Sequence, residues 1–231
     1  MNKTWIVIPL LAVFSLCAQS AEWLDLFDGE TLSGWSVHSG TARYRVEDGM
    51  IIGTTTTGSP NTFLCTETEY GDFILEFEVM VDPRLNSGVQ FRSKIAPRGM
   101  AFVLRDGNGK PRTVRIPKDR VYGYQVEIAT RENGTSGGVY DEARRGFFLD
   151  DIRQDSAASE AFVDGQWNAY RIECRGNRIQ TWVNEVPCSD FQDDLTDRGI
   201  IGLQVHGIGK NNDTYEVKWR NLRLLPLDST K

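Results

Sequence analysis

Three short stretches of the chain pair a glutamine with an ionisable residue two positions on: Gln90-Phe91-Arg92, Gln125-Val126-Glu127 and Gln204-Val205-His206. On a β-strand, residues two apart point to the same side. Each stretch therefore sets an amide and a charged or titratable group on one face, with an apolar residue on the other. If the three strands are neighbours, that face gathers three amides, a guanidinium, a carboxylate and an imidazole. His206 or Glu127 could then act as a general base, His206 being slightly preferred because an imidazole exchanges protons near neutrality. Arg92 is a fixed cation suited to an oxyanion or to sugar oxygens. Gln90, Gln125 and Gln204 both donate and accept, which suits sugar hydroxyls. Tyr140 could stack on a sugar ring if it faces the same groove. Glu127 and Asp141 could together supply oxygen ligands to a divalent ion, an alternative to Arg92 as the positive group. The ordinary alternative is a solvated outer face, with Arg92 in a surface ion pair of little energetic weight and His206 merely hydrogen-bonded.

The elements that must position these residues are strands. Phe73–Val81 alternates, with Phe73, Leu75, Phe77 and Val79 on one side. Similar short runs occur at Tyr44–Val46, Met50–Gly53, Asn61–Thr66, Gly88–Ser93, Tyr122–Ala129, Trp167–Arg175, Arg178–Asn184, Ile200–His206 and Thr214–Leu225. Gly176-Asn177 between two such runs predicts a tight hairpin, and Asp48-Gly49 another turn. Asp150–Glu160 is the best helix candidate and is equally readable as a loop. Ala96–Asp119 and Thr130–Asp155 are expected to be long loops rimming the strand that carries Gln125 and Glu127; loops of that length are commonly functional. Many short strands without helices predict an all-β sandwich or jelly roll.

The 231-residue chain opens with Lys3, an apolar run Trp5–Leu16 and small residues at Ala18, Ser20 and Ala21. This predicts a secretory signal peptide over 1–20, one domain over 21–231, and a secreted or periplasmic mature protein. No later segment is apolar enough to span a membrane. Loss of the signal, with Lys3 as its only charge, takes the formal charge from −6 to −7. An acidic domain with scattered cations is a poor partner for nucleic acid. Cys174 and Cys188 flank the predicted hairpin, and their pairing stays open. With His38 and His206 as the only histidines, a closed structural zinc site is not expected. No nucleophile elbow or phosphate-cradling glycine loop is present. Nothing in the sequence sets an oligomeric state.

Leu26-Phe27-Asp28-Gly29-Glu30-Thr31-Leu32-Ser33-Gly34-Trp35 resembles the start of the 3-keto-disaccharide hydrolase domain family. Further matching segments follow in order: Gly71–Glu78, Asn86–Arg92, Tyr122–Ile128, Ser136–Tyr140, Trp167–Ile172 and Gly202–His206. The resemblance implies a concanavalin-like sandwich, related to laminin-G and lectin domains, acting on glycosides already oxidised at the sugar 3-position. Glu30 departs from the lysine common in the family, in a loop that carries no chemistry.

A 3-keto group makes the C2 proton acidic. A base can remove it, the C1 substituent can leave by elimination, and water can add back. That route needs a base, an oxyanion-stabilising cation and an acid, and not the paired carboxylates of ordinary glycosidases. The expected ligand is a small saccharide. The rival from another class is a non-catalytic carbohydrate-binding module of the laminin-G or lectin type, since fold does not fix function. A third is an envelope interaction protein whose polar face is only solvated.

Overall fold

Alternation of apolar and polar residues sorts the chain into two facing antiparallel sheets. The computed structural model describes residues 22–105 and 108–227. The expected signal peptide lies outside the described residues. In chain order the strands are β1 (Leu24–Asp25), β2 (Trp35–His38), β3 (Arg43–Glu47), β4 (Met50–Thr54), β5 (Thr62–Thr66), β6 (Phe73–Val81), β7 (Ser87–Ile95), β8 (Met100–Arg105) and β9 (Pro111–Ile116). They continue with β10 (Val121–Ile128), β11 (Val139–Glu142), β12 (Phe148–Asp150), β13 (Asn168–Arg175), β14 (Arg178–Val183), β15 (Val186–Gln192), β16 (Ile200–Val205) and β17 (Glu216–Pro226).

One sheet has the order β15-β14-β13-β6-β17-β4-β3, with β1 also on β17; the other has the order β12-β11-β10-β7-β16-β5-β2. The expected jelly-roll sandwich is what forms. Inward residues of β6 (Leu75, Phe77, Val79) and β17 (Trp219) meet Val89, Phe91, Val126 and Leu203 of the second sheet in one buried core. Phe77 stacks on Tyr170, and Phe91 on Tyr124. Burying side chains of this size contributes roughly 1.5–3 kcal/mol each against the ordering entropy. Both predicted turns are present, joining Arg175 to Arg178 and Glu47 to Met50.

The two expected rim loops are more ordered than the sequence suggested. Ala96–Asp119 contains the β8–β9 hairpin, which forms a separate two-stranded sheet. Its apolar side carries Phe102, Val114 and Ile116 against Tyr122 and Ala143. Thr130–Asp155 contains β11 and the edge strand β12. Asp150–Glu160 yields only a 3-10 turn (Ile152–Gln154) and one short helix, α1 (Ser156–Ser159), capped by Asp155. Among the described residues no helix is long and apolar enough to cross a membrane. Cys65, Cys174 and Cys188 are free thiols.

One irregularity shapes everything around the predicted site. The ladder between β7 and β10 is regular from Ile128 to Tyr124 and then slips. The slip falls at Arg92, with φ of 45°, and at Gly123, with φ of 132°. A bulge of this kind bends a ladder and turns a side chain to the other face. Beyond it, Val121 and Ile95 pack on Phe63, Cys65 and Ile200 in a second apolar cluster. These partners sit on the outer face of the second sheet, so the end of the ladder folds over its own sheet as a roof. The roof is pinned at the far edge: His38 Nδ1 meets Asp119 Oδ1 at 2.6 Å, and Val121 N donates to Ser39 Oγ at 2.8 Å.

Candidate functional site

On the outer face of the second sheet, Gln125 stands opposite Gln90 on one side and Tyr140 on the other. Glu127 stands opposite Gly88. Gln204 stands opposite Phe63, and His206 follows on the same strand direction, level with Asn61. The face is strongly curved. Asn61 Nδ2 reaches Glu142 Oε1 at 3.4 Å, although four strand spacings, about 19 Å in a flat sheet, separate their strands. The polar residues therefore line a concavity.

The three glutamines form a directed hydrogen-bond network. Ser93 Oγ donates to Gln90 Oε1 at 2.7 Å, and Gln90 Nε2 donates to Gln125 Oε1 at 2.8 Å. Gln204 Nε2 donates to the same Gln125 oxygen at 3.0 Å, and Gln125 Nε2 donates to Glu127 Oε2 at 3.0 Å. Asn86 Nδ2 completes the set by donating to Glu127 Oε1 at 2.6 Å. An ionised carboxylate only accepts, so Glu127 fixes which way each amide points. Gly88 makes the crossing possible, because a Cβ there would lie 2.5 Å from Gln125 Cδ. The Gln125 amide lies over this glycine and so meets partners from β7 and from β16 beyond it.

This arrangement changes the expected part of the glutamines. Gln90 and Gln204 are 0% exposed and Gln125 is 2% exposed. They orient a carboxylate from beneath and do not present amides to a sugar. Gln204 Oε1 is buried with no protein partner. Glu127 itself is only partly buried. Burial raises its carboxyl above the ordinary value of 4.5; the Asn86 and Gln125 hydrogen bonds oppose the rise, and the charge of Glu142 adds to it. A carboxylate raised in this way is a stronger base when ionised.

Tyr140 faces the same concavity and is half-buried, with Phe148 against its ring edge at 5.3 Å. Its hydroxyl is pushed up by burial and then by the charges of Glu142, Glu127 and Asp141, which places it in the electrostatic field of the site. His206 is partly exposed, and its Nδ1 lies 2.9 Å from Gly207 O. A carbonyl can only accept, so Nδ1 carries a hydrogen. Gly207 N in turn donates to Asn61 Oδ1 at 3.0 Å.

Two expected site residues lie elsewhere. Arg92 is turned away by the bulge. Its Nε donates to Gly71 O at 2.8 Å, Nη1 to Gly176 O at 2.7 Å and Nη2 to Asp72 Oδ1 at 2.6 Å. It is fully buried and staples the second sheet to the first. The period of two that put Arg92 beside Gln90 does not survive a left-handed residue. Asp141 is on the opposite face of β11 from Tyr140 and Glu142, is 0% exposed, and binds Arg144 and Arg145. Glu127 and Asp141 therefore do not fit a shared divalent ion. Among the described residues no group of three or more His, Cys, Asp or Glu is placed to hold a metal.

Several residues of the site carried no distinct sequence signal. Arg120 sits in the roof, 5.9 Å from the Phe63 ring centroid, and pairs with Glu142. It places a guanidinium on this face. Glu142 is two residues from Tyr140, and that alternation was the available clue once β11 is read as a strand. Asn86, Asn61 and Ser93 are brought in by register alone. Ser36, His38 and Asp119 also form a chain, with Ser36 Oγ and His38 Nε2 2.9 Å apart. Asp119 is half-exposed there, and the chain serves to hold the roof to β2.

The sequence profile of the 3-keto-α-glucoside-1,2-lyase-like domain matches residues 22–225, nearly the whole described chain. The chain belongs to this family. The 3-keto-α-glucoside-1,2-lyase-like domain here has solved structural neighbours concerned with carbohydrate. A protein from Parabacteroides distasonis ATCC 8503 described as a glycosyl hydrolase is 17% identical with a TM-score of 0.54, covering 89% of this chain and 94% of that one. The carbohydrate-binding module CBM66 from Bacillus subtilis is 14% identical with a TM-score of 0.53, covering 82% and 94%. The carbohydrate recognition domain of Emp46p is 11% identical with a TM-score of 0.52, covering 87% and 91%. At these identities the likeness shows the sandwich fold alone. No curated protein matches the sequence. Every segment of the expected resemblance falls within the matched range of this 3-keto-α-glucoside-1,2-lyase-like domain.

Proposed function

We propose that the protein cleaves the glycosidic bond of 3-keto-glycosides by elimination across C1 and C2, with hydration of the product completing a net hydrolysis. The observation that carries this reading is Glu127: a partly buried carboxylate with a raised pKa, held by Asn86 and by a one-way chain of amides. A binding module needs no such base. The family description, naming a 1,2-lyase of 3-keto-glucosides, supports the same chemistry.

Glu127 takes the C2 proton. The C2–H pair forms an enolate with C3, leaving negative charge on the C3 oxygen. Arg120, already on this face through Glu142, is the cation for that oxygen, the part first given to Arg92. The enolate then collapses, a C1–C2 double bond forms, and the C1–O bond breaks. The leaving oxygen needs a proton, and protonated His206 can deliver one from Nε2. Glu127 stands on β10 and His206 at the end of β16 with β7 between them, which leaves room for a ring between acid and base. Water adding across C1 and C2 gives the free 3-keto sugar. Export to the periplasm or beyond belongs to this reading, through the signal expected over 1–20.

Incubation with one 3-keto-disaccharide, following released aglycone and unsaturated keto sugar, tests the reaction. Glu127→Gln and His206→Ala should each lower turnover by about 10²–10⁴-fold while the fold survives. Near-normal turnover in both purified variants removes the assignment. No turnover by wild type, with saturable binding of the saccharide, favours the binding-module reading.

A further inference from the structure

The β8–β9 hairpin is the basic part of an acidic protein. Ala96–Asp119 holds six Lys and Arg against two Asp, in a chain of formal charge −6. Register places the Arg112 position opposite Leu104, in the same alternating set as Val114 and Ile116. That set packs toward Tyr122 and Ala143, so Arg112 is directed at the body of the protein. A Cβ built on Gly146 would be 3.8 Å from an Arg112 guanidinium nitrogen and 3.8 Å from the Tyr140 hydroxyl, so the two groups are neighbours at the site. Tyr140 also feels Arg112 electrostatically.

Between the hairpin and the roof lies a cavity of about 440 Å³, lined by Ser39, Pro60, Arg112, Arg115, Arg120 and Ala143 among others. Its volume is in the range of small-ligand sites. No acidic side chain lines it. Arg120 is paired with Glu142, whereas Arg112 makes no ion pair with any described residue; Arg115 alternates to the outer, solvent side of the hairpin with Val103. The Arg112 guanidinium, without a counter-charge at the edge of this recess, is available to an anionic group entering it. Arginine forks match planar oxyanions with two parallel hydrogen bonds.

We propose that this cavity binds the acidic group of the saccharide, a carboxylate or a sulfate ester, and so selects anionic glycosides over neutral ones. The proposal rests on the concave face being the saccharide site, and it names the substrate class for that site. Arg112 is the specificity-determining residue in it and does not touch the reacting atoms.

Calorimetric titration of the whole protein with unoxidised disaccharides tests this without any turnover. The probes are a glucuronate-containing disaccharide, its sulfated counterpart and its neutral glucose counterpart. An acidic probe should bind at least about tenfold tighter than the neutral one, as expected for a charge-assisted fork. Whichever acidic probe is tighter names the group. The advantage should fall with added salt and collapse in Arg112→Gln. Equal or tighter binding of the neutral probe, no binding of either acidic probe, or an advantage that survives in Arg112→Gln overturns the proposal. Turnover of a neutral 3-keto-glucoside without any anion preference removes this inference and leaves the reaction standing. A strong anion preference with no turnover of any 3-keto substrate does the reverse.

Discussion

Replacing Gln125 by methionine, which has similar length but no amide, separates a scaffolding glutamine from a sugar-binding one. Gln125 Oε1 accepts from both Gln90 Nε2 and Gln204 Nε2, and its Nε2 donates to Glu127. Both donors lie on fully buried residues. Each donor left without a partner costs about 1–3 kcal/mol, giving about 2–6 kcal/mol in all. For a domain of this size that lowers the Tm by roughly 5–20 °C. Gln204→Met is the control. It removes one bond to an oxygen that still accepts from Gln90, together with an acceptor, Gln204 Oε1, that has no partner to lose. Its cost should be about 1 kcal/mol or less. Thermal and urea unfolding of the two variants measure the difference. The pH–rate profile supplies a second readout, because Glu127 loses one of its two amide donors only in Gln125→Met, and its acidic limb should move to higher pH. A Gln204→Met variant as unstable as Gln125→Met, or a Gln125→Met variant with unchanged stability and limb, would refute the network as described.

With Glu127 as the proposed base, wild-type activity should rise with pH along a limb whose midpoint lies above 4.5, since that role needs the ionised form and burial raises its folded-state pKa. The same shift means its protonated form suits the fold better, so its contribution to stability is lost as pH rises through that midpoint. A limb at or below the ordinary glutamate value contradicts this. Arg92→Met strands the Asp72 carboxylate and two carbonyls, so stability should fall by about 3–5 kcal/mol while turnover per folded molecule stays near wild type. A stable but inactive variant would return Arg92 to the site. Gly88→Ala drives a Cβ into the Gln125 amide, and it should lower turnover and raise the pH limb together. Burial pushes the Cys174 thiol up to about 12 and the Cys188 thiol up to about 11. Alkylation of the native protein near pH 8 should therefore be slow, and reductant should leave the Tm unchanged. Rapid loss of thiol titre in native buffer would contradict the packing.

The strands were legible where a period of two met a buried face. Phe73–Val81 shows it plainly, because every second side chain enters a core that tolerates only apolar groups. Gly176-Asn177 was legible because a tight hairpin admits few residue types. The edge strands β2, β12 and β15 were missed, along with β11 and the β8–β9 hairpin. Several are short or carry charge, as in Tyr140-Asp141-Glu142, where Asp141 turns inward to Arg144 and Arg145.

The sequence by itself determined the layers, the family, and the gathering of Gln125, Glu127 and the other two glutamines on one face. Those follow from side-chain alternation, a local property repeated along each strand. Only the tertiary structure decided that Arg92 leaves that face, that Arg120 replaces it, and that the glutamines hold Glu127 from below. The reason is the paired bulge at Arg92 and Gly123. One unpaired residue reverses the alternation after it and bends the ladder over its own sheet. Whether a strand accepts that extra residue depends on partners distant in sequence, such as Phe63, Ser39 and Asp72, and not on the residues flanking it.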